Sequence, residues 1–175
     1  MIPSIERIEM AIMNHRDFNF RQNLMVFRVT DFSGVVNHEC DCLIMSKAGY
    51  LTEIEIKRSY TDFMADFKKN HSHDDNKIQR FLFLVHVSFA EKVFKSLSEK
   101  KRIPSAIYTY DDDCKIKIAY TKDNFKEIVE EERIYYANAW GARKLFLEEQ
   151  YQLARLGAMR YKNMTEKLIK SKNLI

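Results

Sequence analysis

Phe81-Leu82-Phe83-Leu84-Val85-His86-Val87 follows Arg80 with almost no polar interruption. A short apolar run rich in aromatic and β-branched residues, bounded by polar segments, reads as a strand. Side chains alternate between the faces of a strand, so apolar residues at both parities require cover on both faces. Such strands lie at the centre of a sheet with helices above and below. The chain is therefore expected to be α/β, and the other elements must supply flanking strands and helices.

They are readable along the chain. Ser4 is placed to cap a helix in which Ile5, Ile8, Ala11 and Ile12 recur at helical spacing, ending near Asn14-His15. Leu24–Val29 reads as a strand and Asp31-Phe32-Ser33-Gly34 as a turn. Residues 38–45 and Leu51–Lys57 read as two strands joined by a turn over 46–50. A helix is expected over 61–69 with Phe63 and Phe67 inward, and another over 89–99 with a stripe of Ala90, Val93, Phe94 and Leu97. Strands follow at 106–110 and 115–120, around a turn at Asp111-Asp112-Asp113. From about Asn124 the pattern is helical only, with Ile128, Tyr135, Ala139, Leu145, Leu153, Leu156, Met164 and Leu168 apolar and Gly141 and Gly157 as breaks. This predicts a core over 1–121 and a helical extension over 122–175, packed on the core or on a partner subunit.

With 175 residues, 46% of them hydrophobic, the chain is long enough to bury a core. Only 4 Gly and 2 Pro favour long regular elements. The net charge of +4 suits a polyanionic partner without requiring one. No apolar run is long enough to span a membrane and no leader pattern opens the chain. Three cysteines, an odd number, suggest a reducing, cytoplasmic setting. Cys40 and Cys42 are expected to be buried thiols on the side opposite Asp41. His71, His73 and Asp74 read as a polar loop, since zinc needs about four ligands. There is no Gly-rich phosphate loop and no serine-type triad signature.

The chemistry concentrates in the paired strands. Glu55 and Lys57 share one face of their strand, Ile54 and Ile56 the other, and Glu39 and Asp41 share a face of the strand before. In a hairpin Asp41 lies beside Glu55 and Lys57. Two carboxylates can hold a hard divalent cation through oxygen. The bland alternative is a solvated strand face with cross-strand charge pairs, worth about 0.2–1 kcal/mol each.

Asp41, then Glu55-Ile56-Lys57 on the next strand, resembles the PD-(D/E)XK, or restriction-endonuclease-like, nuclease superfamily. Glu53-Ile54-Glu55-Ile56-Lys57-Arg58-Ser59-Tyr60-Thr61-Asp62-Phe63-Met64-Ala65-Asp66-Phe67-Lys68 is similar to a DNA-repair branch of it, where Glu-x-Lys is followed by Ser and by a helix with Asp-Phe, a second Asp and a Lys. The likeness spans roughly residues 39–87, and Cys40 stands where the superfamily nominally has Pro. It implies a restriction-endonuclease-like mixed β-sheet flanked by helices, with a helical C-terminal extension. It implies a Mg²⁺- or Mn²⁺-dependent deoxyribonuclease, with Asp41, Glu55 and the Ile56 carbonyl as metal ligands. Lys57 would orient the attacking water or stabilise the charge on phosphorus. Glu9 (with Glu6 as its rival), Glu39 and Glu53 are candidate supporting carboxylates, although Glu53 reads better as a solvated edge residue. Asp62 is expected at a helix N-terminus, with Asp66 one turn on. Arg58, Ser59, Lys68, Lys69, Arg160 and Lys162 are candidate nucleic-acid contacts, Ser59 also serving as a candidate helix cap. DNA is the expected partner, with a homodimer through the C-terminal helices as a further expectation and no membrane. The rival function is a catalytically silent nuclease-like module that binds nucleic acid.

Overall fold

The computed structural model describes residues 2–30, 34–66, 75–99, 102–121, 123–124, 134–135 and 141–171. Helix α1 (Ile5–Asn14) leads into strands β1 (Leu24–Val29), β2 (Cys40–Met45) and β3 (Leu51–Lys57). Helix α2 (Tyr60–Asp66), strand β4 (Ile78–His86) and helix α3 (Ala90–Glu99) follow. Then come β5 (Arg102–Ile103), β6 (Ala106–Tyr110), β7 (Ile116–Thr121), β8 (Ile134–Tyr135) and a long helix, α4 (Leu147–Ser171). Six strands form one mixed sheet in the order β1-β2-β3-β4-β6-β7. β3, β4 and β6 are parallel, and the pairs at either end are antiparallel.

β4 occupies the centre, as its composition requires. Phe81, Phe83 and Val85 join a cluster with Phe63 of α2, with Val93, Phe94 and Leu97 of α3 and with Leu153 of α4. Leu82 and Leu84 join the opposite cluster, where Ile8 and Ile12 of α1 pack on Ile54, Ile56, Tyr108 and Tyr110. The sheet is thus a middle layer with α1 on one face and α2, α3 and α4 on the other. Both faces of the sheet are covered, and Glu53, Glu55 and Lys57 of β3 are buried rather than on a solvated strand face.

Local caps follow the sequence. The Ser4 hydroxyl accepts from the Arg7 N–H at 3.4 Å, starting α1. Ser59 Oγ accepts from the Asp62 N–H at 3.1 Å, starting α2, while Asp62 Oδ2 accepts from the Arg58 N–H at 3.4 Å. Gly49, with φ of +85°, closes the turn between β2 and β3 in a conformation that favours glycine.

The extension differs from the all-helical expectation. β8 pairs in parallel with β5 in a small second sheet, Arg102 opposite Ile134 and Ile103 opposite Tyr135. Two residues are too few to leave a periodicity in the sequence. Gly157 is no break, since α4 runs straight through it; a Cβ there would meet Val26 Cγ2 at 3.3 Å, so the glycine lets the helix lie close on β1. Ile128 and Ala139 lie outside the described residues, and Met164 and Leu168 are exposed rather than packed on the core.

Candidate functional site

β2 and β3 carry the chemistry. Their ladder pairs Cys42 with Ile54, and the same register continues to Asp41 opposite Glu55. There the backbone ladder gives way to side chains. Asp41 Oδ2 accepts from the Ile56 N–H at 2.8 Å, and Glu55 Oε1 accepts from the Asp41 N–H at 3.3 Å. Lys57 Nζ donates to Glu55 Oε2 at 2.8 Å and pairs with Asp66 Oδ2 at 2.5 Å. Tyr110 Oη donates to the Lys57 carbonyl at 3.2 Å, anchoring the end of β3. Asp41, Glu55 and Lys57 thus meet, and Asp66, one helical turn after Asp62, joins them from α2.

The electrostatics follow from burial. Lys57 is only 3% exposed. Desolvation pulls its pKa down, but the charges of Glu55 and Asp66 outweigh that and hold the ammonium protonated above its ordinary range. Burial pushes the Asp41 carboxyl above its ordinary range. The Ile56 N–H and Lys57 oppose this, and the charges of Asp62 and Asp66 add to it.

Asp41, Glu55 and Lys57 line one cleft together with Arg28, Glu39, Ile56, Asp62 and Arg160. Arg160 arrives from α4 and Arg28 from β1. Arg28 has φ of +55°, a left-handed conformation that costs a non-glycine residue on the order of 1 kcal/mol. It interrupts strand alternation, so that Val26 and Val29 face the same core. Its guanidinium is held by Glu9, with Nε donating to Oε1 at 2.9 Å, and by Glu6 at 3.4 Å.

The other candidates divide. Glu9 is buried and reaches the cleft only by way of Arg28. Glu39 is exposed on the rim. Glu53 is no solvated edge residue: it is 0% exposed and both its oxygens lie 3.0 Å from His38 Nε2. Burial lowers the His38 pKa, but the bond and charge of Glu53 more than reverse this and favour an imidazolium. Its Nδ1 lies 2.9 Å from Asn37 Oδ1, which suits a doubly protonated ring. Nothing local marked His38 as the partner of Glu53, because the contact crosses from the segment before β2 to the middle of β3. Arg58 and Ser59 are exposed, with the Ser59 hydroxyl committed to its cap. Lys68, Lys69, His71 and His73 lie outside the described residues. Lys162 is exposed and pairs with Glu166 at 2.9 Å. It sits two residues from Arg160, about 200° around the helix, so the basic residues of α4 form no single face. Cys40 and Cys42 are both buried but on opposite sides of the sheet, because the irregularity at Arg28 turns Val29 and its ladder partner Cys40 to the Phe63 side. Burial keeps both thiols protonated.

Fold and site together define an α/β domain with a mixed six-stranded sheet and a carboxylate–lysine cluster where β2, β3 and α2 meet. No protein-family model and no curated protein matches the chain. Among solved structures it is similar to the SPO1766 protein of unknown function from Silicibacter pomeroyi, at 15% identity and a TM-score of 0.55, over 95% of this chain and 92% of that one. At that identity the likeness concerns the fold alone.

Proposed function

We propose that the protein is a divalent-metal-dependent deoxyribonuclease that hydrolyses phosphodiester bonds, at ends or internally, in a repair, restriction or mobile-element setting in the cytoplasm. The observation that carries this reading is the meeting of Asp41, Glu55 and Lys57 in a cleft that also holds two arginines. The donor set fits a hard cation. Among the described residues no group of three or more metal-ligating side chains assembles, but Mg²⁺ is commonly held by one or two carboxylates with waters and substrate phosphate. The upward push on Asp41 from burial and neighbouring carboxylates marks a surplus of negative charge that a cation relieves. Asp41, Glu55 and the Ile56 carbonyl would hold it. When bound, such a cation neutralises phosphate charge and acidifies water.

The chain's own residues supply the rest. The protonated Lys57 acts as a hydrogen-bond donor and fixed positive charge toward the reacting phosphate rather than as a base. Glu55 and Asp66 hold its ammonium in place. DNA is the proposed partner. The exposed Leu147, Tyr151, Tyr161 and Leu168 of α4 are where a second copy would pair.

The test is incubation of the wild-type protein and Asp41→Ala with linear, circular and branched DNA in Mg²⁺, Mn²⁺ or Ca²⁺. Cleavage by the wild type in Mg²⁺ or Mn²⁺, lost in the variant, is the expected result. Salt-dependent binding with no cleavage in any metal would replace it with the reading of a silent nucleic-acid-binding module.

A further inference from the structure

The long C-terminal helix delivers one residue into the cleft. Leu153, Gly157 and Arg160 succeed one another at i, i+4 and i+7, so they lie on one side of α4. Leu153 is buried in the core, and Gly157 lets the helix approach Val26 of β1 closely. Arg160, a turn further on, then meets β1 at Arg28. Its Nη2 donates to the Arg28 carbonyl at 2.5 Å, and the left-handed Arg28 backbone marks the strand at that same point.

The two arginines of the cleft differ in one respect. Arg28 is neutralised by Glu9 and Glu6. Arg160 has a backbone carbonyl for a partner and no carboxylate among the described residues. Its Nε is buried with no acceptor among the described residues. A buried N–H with no acceptor costs about 1–3 kcal/mol, and native proteins seldom leave one without a function or a ligand. Nε and a neighbouring Nη together form the planar fork that matches two oxygens of a phosphate. The same cleft is lined by Asp41, Glu55 and Lys57.

From this we infer that Arg160 is the phosphate-seating residue of the cleft, gripping non-bridging oxygens of the DNA phosphodiester opposite Asp41 and Lys57, so that α4 completes the site. The inference rests on the nuclease reading for its substrate. The Arg28 carbonyl fixes one edge of the guanidinium and leaves the remaining donors for the ligand. A lysine has no fork with which to serve both, so it is a poor replacement.

The test uses the full chain as wild type, Arg160→Ala and Arg160→Lys. At saturating protein, single-turnover cleavage by Arg160→Ala is expected to fall about 10²–10³-fold, the usual effect of removing one preorganised donor. Arg160→Lys should recover less than a tenth of the lost rate. DNA affinity in Ca²⁺ should change by under about threefold, because one phosphate contact among several is lost. A wild-type rate in Arg160→Ala, with only affinity reduced, would reassign the residue to a general basic surface. A second measurement needs no cleavage. Inorganic phosphate is titrated into the wild type while the arginine Nε–H resonances are followed, that of Arg160 being identified by its loss in Arg160→Lys. A saturable shift of that resonance supports the phosphate seat even if no DNA is cut, in which case only the nuclease reading falls. An unmoved resonance overturns the inference, whatever the enzyme does.

Discussion

Lys57 sits between Glu55 and Asp66, almost without solvent, so its removal acts on the fold as well as on the chemistry. Lys57→Ala leaves two buried carboxylates facing each other, and breaking a buried ion pair costs about 3–5 kcal/mol. We expect loss of cleavage together with a clear drop in the urea midpoint, partly restored by Mn²⁺. Asp41→Ala should weaken Mn²⁺ binding in titration calorimetry; equal affinity in variant and wild type would remove Asp41 from the ligand set. Asp41→Asn keeps an oxygen for the Ile56 N–H and removes one of the crowded charges. Because folding raises the Asp41 pKa, its ionised form weakens the metal-free protein at neutral pH, and Asn should stabilise it. His38→Ala removes the imidazole partner of the buried Glu53 and should cost about 3–5 kcal/mol in chemical denaturation. A change below about 1 kcal/mol would show that Glu53 is satisfied by other groups.

At the scale of elements, α4 is held at its N-terminal end and along one side. The Arg143 fork bonds both oxygens of Glu149 at 2.6 and 2.7 Å, and Glu149 also accepts from the Phe146 N–H at 2.8 Å. The Leu145 N–H donates to the Gly49 carbonyl at 2.9 Å, tying this segment to the turn between β2 and β3. The bonds from Arg143 lower the Glu149 pKa to about 2, against about 4.3 for an unperturbed Glu. Since the folded value is the lower one, Glu149 contributes stability that is full above about pH 5 and fades as the pH falls toward 2. Glu149→Gln should therefore be less stable than the wild type by about 2 kcal/mol at neutral pH. The gap between their thermal midpoints should narrow between pH 5 and pH 3, and a pH-independent gap would show that packing rather than charge is involved. Along the helix, Gly157→Leu should lift α4 from β1. Overpacking of that kind typically costs about 1–3 kcal/mol. With Arg160 seating the phosphate, this variant should also slow cleavage although residue 157 does not line the cleft.

Across the whole molecule, charge is distributed unevenly in function though nearly evenly in number. Arg160 points into the cleft, whereas Lys162 and Lys167 are exposed on the outer part of α4. Exposed lysines add affinity for DNA through counterion release, about 0.9 in log–log salt slope for each phosphate contact. The double variant Lys162→Ala with Lys167→Ala should flatten the salt dependence of DNA binding by one to two while leaving metal binding and the cleavage rate at saturation unchanged. An unaltered slope would place the nonspecific contacts around Arg58 instead. No helix among the described residues is long and apolar enough to cross a membrane.

The sequence by itself determined the six strands of the main sheet, the central place of β4, the caps at Ser4 and Ser59 and the juxtaposition of Asp41 with Glu55 and Lys57. Each of these depends on the alternation of faces, on a hairpin of short loop length, or on a hydroxyl three residues from the N–H it caps. Such signals are local and survive without knowledge of the fold. Tertiary structure alone decided that Glu53 would be buried against His38, that Asp66 would clamp Lys57, and that Arg160 would cross from the last helix to the cleft. The last two contacts join residues brought together by the stacking of helices on a sheet, and the first joins β3 to the segment before β2. In one dimension a carboxylate destined for the core and one destined for water look alike, because the difference between them lies in which neighbours exclude the solvent.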